Sequence, residues 1–177
     1  MGNTKTKKKK ILILTFEDYY TKKMYSNISQ RELTDELENG FITDNIDYNN
    51  IEFSVWYLSS KNRHLWKHHF IATQGIVIVF SFRDEKTDKG VIYEALRIFY
   101  EELLSNVPFL VLLDKNNRYL QSDFIIEVNK MKKNDVDNGR KNTYDNILVD
   151  AIEFNKVKLD LQSGFNWICE QIENEMY

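Results

Sequence analysis

The amino terminus carries the plainest chemical signal in the chain. Met1-Gly2-Asn3-Thr4-Lys5-Thr6 fits the M-G-x-x-x-[S/T] pattern, in which Gly2 accepts a myristoyl group once Met1 is removed. Lys5, Lys7, Lys8, Lys9 and Lys10 follow at once. One myristoyl chain holds a bilayer only marginally, and a basic patch is a recognised second signal. Each lysine near an anionic leaflet adds roughly 1 kcal/mol. The same residues also read as a plain solubilising tail. His64, His68 and His69 cluster after Ser59-Ser60, but their spacing does not supply a ligand set, so no metal site is expected. Cys169 is the only cysteine, which excludes an internal disulfide and suits a reducing compartment. Its place on an apolar stripe marks it as a small buried hydrophobe rather than a reactive thiol.

These groups need a framework to position them. With 177 residues, 42% of them hydrophobic and 29% charged, the chain is one globular domain large enough to bury a core. A net charge of -3 argues against general nucleic-acid binding. No apolar run is long enough to span a bilayer, and there is no secretory h-region. The expected division is a basic arm over residues 1–10 and a single domain over 11–177.

Ile11-Leu12-Ile13-Leu14 reads as a strand covered on both faces. Lys22 to Glu38 reads as a helix with Met24, Ile28 and Leu33 inward. Phe41 to Tyr48 and Ile51 to Leu58 read as strands joined by a turn at Asn49-Asn50. Gly75 to Phe82 is a second apolar strand. Asp88 is placed as the cap of a helix with an inner stripe of Ile92, Leu96, Phe99 and Leu103. Phe109 to Leu113 is a third buried strand, and Leu120, Phe124, Val128 and Met131 mark another helix. Asn134 to Asn146 is polar and reads as a loop. Ile147 to Phe154 is a further strand, and Leu161, Phe165, Ile168 and Ile172 mark a closing helix. Strands alternating with helices, with one tight hairpin, give an α/β sheet with helices on both faces.

Gly40-Phe41, Tyr48-Asn49-Asn50-Ile51, Phe53-Ser54-Val55-Trp56, Leu65-Trp66-Lys67-His68-His69-Phe70 and Thr73-Gln74-Gly75 resemble the interswitch and switch II of the Arf/Arl small GTPases. The resemblance runs from Lys10 to Ile172. It is strongest from Gly40 to Ser81, moderate around Ser163 to Ile168, and missing from Asn134 to Asn146. It implies a P-loop NTPase-like fold, with a mostly parallel six-stranded sheet. In that family a glycine-rich turn cradles phosphates, a lysine reaches them and a hydroxyl holds Mg²⁺.

Set on that pattern, the nucleotide positions depart from it throughout. Thr15 and Tyr20 stand where glycines would, Thr21 where the phosphate lysine would, and Lys22 where the metal hydroxyl would. Sliding the register by one residue does not repair the motif. Glu38 falls on the switch I threonine. Tyr57-Leu58-Ser59-Ser60-Lys61 falls on D-x-G-G-Q, which loses the metal-orienting carboxylate, the γ-phosphate-reading glycine and the water-positioning glutamine. Asp114-Lys115-Asn116-Asn117 falls on N-K-x-D; Lys115 survives, while Asn117 replaces the guanine-reading carboxylate. Phe154-Asn155-Lys156 does not match the last loop.

The family's aromatic effector trio maps onto Phe41, Trp56 and His69, with imidazole as the third ring, and Trp66 is expected in the core. The leading expectation is a pseudo-GTPase without catalytic residues, nucleotide or metal. It would bind a protein effector through the interswitch and switch II surface and an intracellular membrane through its N-terminus. The implied location is cytoplasmic and peripheral to a membrane, Golgi or vesicular. A switch that holds GTP or GDP with Mg²⁺ in an altered mode is one alternative; a soluble assembly subunit is the other. Mobility is expected near Leu58 to Arg63, where no ligand pins the chain.

Overall fold

The apolar run at the start of the chain becomes the centre of the sheet. In the computed structural model, which describes residues 8–33, 37, 40–48, 50–80, 85–115, 121–137 and 146–174, β1 spans Lys9–Thr15. It lies parallel to both β3 (Ile51–Leu58) and β4 (Gly75–Phe80), with Ile11 opposite Val55 on one side and Gly75 on the other. β2 (Phe41–Tyr48) pairs antiparallel with β3. β5 (Phe109–Asp114) and β6 (Ile147–Ile152) extend the sheet in parallel. The sheet has six strands in the order β2-β3-β1-β4-β5-β6. β1, β4 and β5 bury alternate side chains on opposite faces, which is why they read as unbroken apolar runs.

Each face has its own core. On one, Leu12, Leu14, Ile76, Ile78 and Phe80 meet α2 (Glu85–Phe99) and α3 (Gln121–Asp137) through Ile92, Leu96, Phe99, Phe124 and Val128. On the other, Ile11, Ile13, Val77 and Leu110 meet α1 (Asp18–Ile28) and α4 (Gln162–Asn174) through Met24, Phe165, Ile168 and Ile172. Gly164 allows α4 to approach β5: a Cβ there would sit 3.0 Å from Leu110.

Several boundaries differ from the sequence reading. β1 begins at Lys9, so Lys9 and Lys10 are sheet residues and not part of an arm. α1 starts at Asp18 and ends at Ile28, well before Glu38. No glycine resists helix from Asp18 onward, and Gln30 leaves the helix at a φ of 55°. Asp88 lies inside α2, not at its cap. Leu103 is exposed in a short 3₁₀ turn, Glu102–Leu104, where Leu104 takes the inward place. α3 runs on to Asp137, into the stretch read as loop, and β6 stops at Ile152. Residues 138–145 of that loop, with residues 81, 82 and 120, lie outside the described residues. Asn50, at a φ of 64°, makes the hairpin turn that the Asn49-Asn50 pair signalled.

Candidate functional site

Two places at the carboxyl edge of the sheet and along β3 collect the singled-out residues. The first is the turn after β1. Thr15 and Thr21 are buried, and their hydroxyls are hydrogen-bonded to each other across the turn. Tyr20, 2% exposed, donates from its hydroxyl to Asp114 Oδ2 at 2.9 Å. Its ring meets Phe154 edge-on at 4.8 Å and Tyr19 at 5.1 Å. Tyr19 donates to the Phe154 carbonyl at 3.2 Å. Phe16 turns into the core, stacked on Phe80 at 5.0 Å and edge-on to Trp66 at 5.3 Å. The turn, the end of β5 and the residues after β6 are thus joined by protein groups.

The backbone of this turn agrees with its side chains. A phosphate nest needs successive amides turned inward by alternating right- and left-handed conformations. Positive φ among the described residues is confined to Gln30, Gly40, Asn50 and Ala72. Asp18 brings a carboxylate to the first turn of α1 and accepts from Ser60 Oγ at 2.6 Å. The Lys61 ammonium lies 3.7 Å from its other oxygen. A cavity of about 80 Å³ remains between Asp18, Thr21, Lys22, Ser59, Lys61 and Asn62. That is room for two or three waters at about 30 Å³ each, against roughly 300 Å³ or more for ordinary ligand pockets. Tyr57, at the magnesium-orienting position, is fully buried and bonded to the Ser29 hydroxyl at 2.9 Å; burial drives its phenol pKa well above normal. Lys115 follows the end of β5, its amide bonded to the Ile152 carbonyl. Measured against what a magnesium triphosphate requires, converging amides, a buried lysine and a metal-facing hydroxyl, these residues do not fit. Glu38 and Asn117 lie outside the described residues.

The second place is an aromatic cluster. Phe41 stacks on Trp56 at 5.1 Å, and His69 packs on both, 5.1 Å from Phe41 and 5.6 Å from Trp56. All three are half-buried. Phe41 and Trp56 come from β2 and β3; His69 ends a 3₁₀ helix, Ser60–His69. The segment is kinked at Asn62, and its first residues, Ser60 to Arg63, fall in the stretch Leu58 to Arg63 expected to be mobile. Trp66 anchors it, buried, with Nε1–H donating to the Ser59 carbonyl at 3.1 Å. Arg63 pairs with Glu94 at 3.4 Å and Lys67 with Glu101 at 2.5 Å, tying it to the α2 side. Gly40, at a φ of 79°, passes close beneath it: a Cβ there would lie 2.8 Å from Asn62 Nδ2.

Lys10 completes this cluster from β1. Its ammonium donates to the carbonyls of His69 at 2.6 Å and Ile71 at 3.1 Å, and lies 4.8 Å over the Trp56 ring. Burial lowers its pKa. Burial first, then Lys10 and His68, lowers that of His69. The reading of Lys10 as a membrane lysine is corrected here, because its charge is committed to carbonyls. Lys9 is likewise buried, and Lys8 pairs with Glu52 at 2.7 Å. Gly2, Lys5 and Lys7 lie outside the described residues.

Sequence reasoning brought Phe41, Trp56 and His69 together, but it did not pair Asp18 with Ser60 and Lys61 or Lys10 with the cluster. The acid at a helix start was readable; its partner Ser60, 42 positions on, was not. Lys10 was hidden by the lysine run around it. His64 and His68 are exposed, and no group of acids, histidines or cysteine suited to a metal occurs among the described residues. Cys169 is buried, its thiol pushed up to about 12, mainly by burial.

The fold is similar to that of the Arl6 (BBS3) small GTPase from Trypanosoma brucei, solved with the nucleotide analogue GppNp bound. The TM-score is 0.69 at 14% sequence identity, over 94% of this chain and 98% of that one. The sequence itself matches the model of the ADP-ribosylation factor family over residues 2–172. Sheet order, hairpin and sequence match agree, and the chain belongs to the ADP-ribosylation factor family.

Proposed function

We propose that this protein is a pseudo-GTPase: an Arf-fold binding module that presents Phe41, Trp56 and His69 to a protein partner without a nucleotide cycle. The observation that carries the reading is the buried Tyr20–Asp114 hydrogen bond, which joins the phosphate turn to the base-reading edge of the sheet. To seat a triphosphate, the chain would have to break that bond, move two aromatic rings and desolvate Asp18 beside the phosphates. Each step costs free energy, and the motif's lysine and metal-hydroxyl positions are held by Thr21 and Lys22, the reverse of what the chemistry needs.

The aromatic cluster supports the binding half. Half-buried Trp and Phe side by side are typical anchors for a partner surface. Membrane attachment through a myristoylated Gly2, aided by Lys5 and Lys7, is part of the proposal, as is a role in vesicle traffic. No helix among the described residues is long and apolar enough to cross a membrane; the proposed attachment relies on the acyl group and basic residues.

The test is direct. Purified protein is denatured and assayed for released GDP or GTP, and labelled nucleotide is then titrated with and without Mg²⁺. No released nucleotide and no saturation at tens of micromolar is expected. Sub-micromolar, Mg²⁺-dependent binding would overturn the reading. For the membrane half, Gly2→Ala is expected to release the protein from membranes; unchanged association would remove the acyl anchor from the proposal.

A further inference from the structure

In a working switch of this family, the γ-phosphate holds switch II through a glycine amide, and the glutamine beside it positions the attacking water. Here Ser60 and Lys61 occupy those positions, and both turn to the same group, the carboxylate of Asp18. Asp18 is the first residue of α1, on the turn where the phosphates of a nucleotide would lie. The helix dipole favours an acid in a first turn; what is particular here is that both Ser60 and Lys61 turn to it. A carboxylate shares with a phosphate its negative charge and its capacity to accept several hydrogen bonds.

We infer that Asp18 is a resident substitute for the γ-phosphate, a positioning residue that holds the 3₁₀ helix Ser60–His69 in one place. The inference deepens the pseudo-GTPase reading and rests on it. The helix is held at both ends by side chains: Asp18 takes Ser60 and Lys61 at its start, and Lys10 takes the carbonyls of His69 and Ile71 at its finish. His69, one ring of the aromatic cluster, belongs to that helix. Asp18 thus fixes the entry to the segment, ahead of the kink at Asn62, while Lys10 fixes its exit beside the cluster. The partner surface is set permanently, in the way a bound triphosphate sets it only for part of a cycle.

Amide hydrogen exchange of the full chain tests this without a partner. Three variants are compared with the unchanged protein: Asp18→Ala, Ser60→Ala and the two combined. Asp18→Ala should raise exchange about tenfold across residues 60–70, and leave β1, β4 and β5 protected. Ser60→Ala should raise it less, and the double variant should match Asp18→Ala, because both act through one contact. Asp18→Asn, which keeps size and loses charge, should fall between. Unchanged protection of residues 60–70 in Asp18→Ala would overturn the inference. So would an even loss across the whole sheet in both Asp18→Ala and Asp18→Asn, which would make Asp18 a general stabiliser. Titrating nucleotide onto the unchanged protein is a separate readout: binding there defeats the pseudo-GTPase reading, whereas the exchange pattern judges Asp18 alone.

Discussion

The turn after β1 and the aromatic cluster beside β3 sit on one sheet, yet they have been treated in opposite ways. At the turn, positions that would face a nucleotide carry side chains that satisfy neighbours in the same chain: Thr15 with Thr21, Tyr20 with Asp114, Asp18 with Ser60. At the cluster, three rings pack on one another and still leave part of each face to solvent. One region has been closed by its own hydrogen bonds, and the other has been kept available. On the proposed reading, the fold loses its ligand chemistry and retains its partner surface, because the two depend on different residues.

The largest effect that tests this contrast is expected from Tyr20→Ala. Removing a buried aromatic that touches Tyr19, Phe154 and Asp114 should cost about 3–5 kcal/mol, read as a lower denaturant midpoint. A loss under about 1 kcal/mol would mean that the turn is loosely filled and the closure is only apparent. Tyr20→Phe sharpens the point. It keeps the ring and removes one donor to Asp114, for an expected cost of about 1–2 kcal/mol.

Next comes Lys10→Met, which keeps the stem and deletes the ammonium over Trp56. It should destabilise by about 1 kcal/mol and change the fluorescence of Trp56, with little change elsewhere. Phe41→Ala and Trp56→Ala should each cost stability less than Tyr20→Ala while abolishing capture of a partner. A collapse equal to that of Tyr20→Ala would make the cluster core, not surface.

The smallest effect is that of pH. His69 has its pKa lowered in the folded state by burial, Lys10 and His68. For a base of this kind the unfolded chain binds the proton more readily. Its stabilising contribution is complete above the ordinary imidazole value near 6.5 and is lost as pH falls toward the folded value. Denaturant midpoints from pH 7.5 down to 5.5 should therefore fall more steeply for the unchanged protein than for His69→Phe.

Most of the framework was legible because burial on both faces leaves an unmistakable mark: Ile11–Leu14, Ile76–Phe80 and Phe109–Leu113 could hardly be anything but inner strands. The aromatic trio was legible from the same local pattern. Boundaries were harder, as with α1, whose start depends on backbone freedom that only the missing glycines reveal. Tyr20–Asp114 and Asp18–Ser60 join residues 94 and 42 positions apart, and no local pattern encodes such partners. Lys10 looked like its neighbours in a charged run, and only its register beside Trp56 distinguishes it.

The place of β1 has a consequence for how the chain comes off the ribosome. It is synthesised before β3 and β4, yet it needs both on either side, so its apolar ILIL core waits until residues 51–80 have emerged. Until then it is a bare sticky segment, suited to chaperone capture or to mispairing with a neighbouring nascent chain.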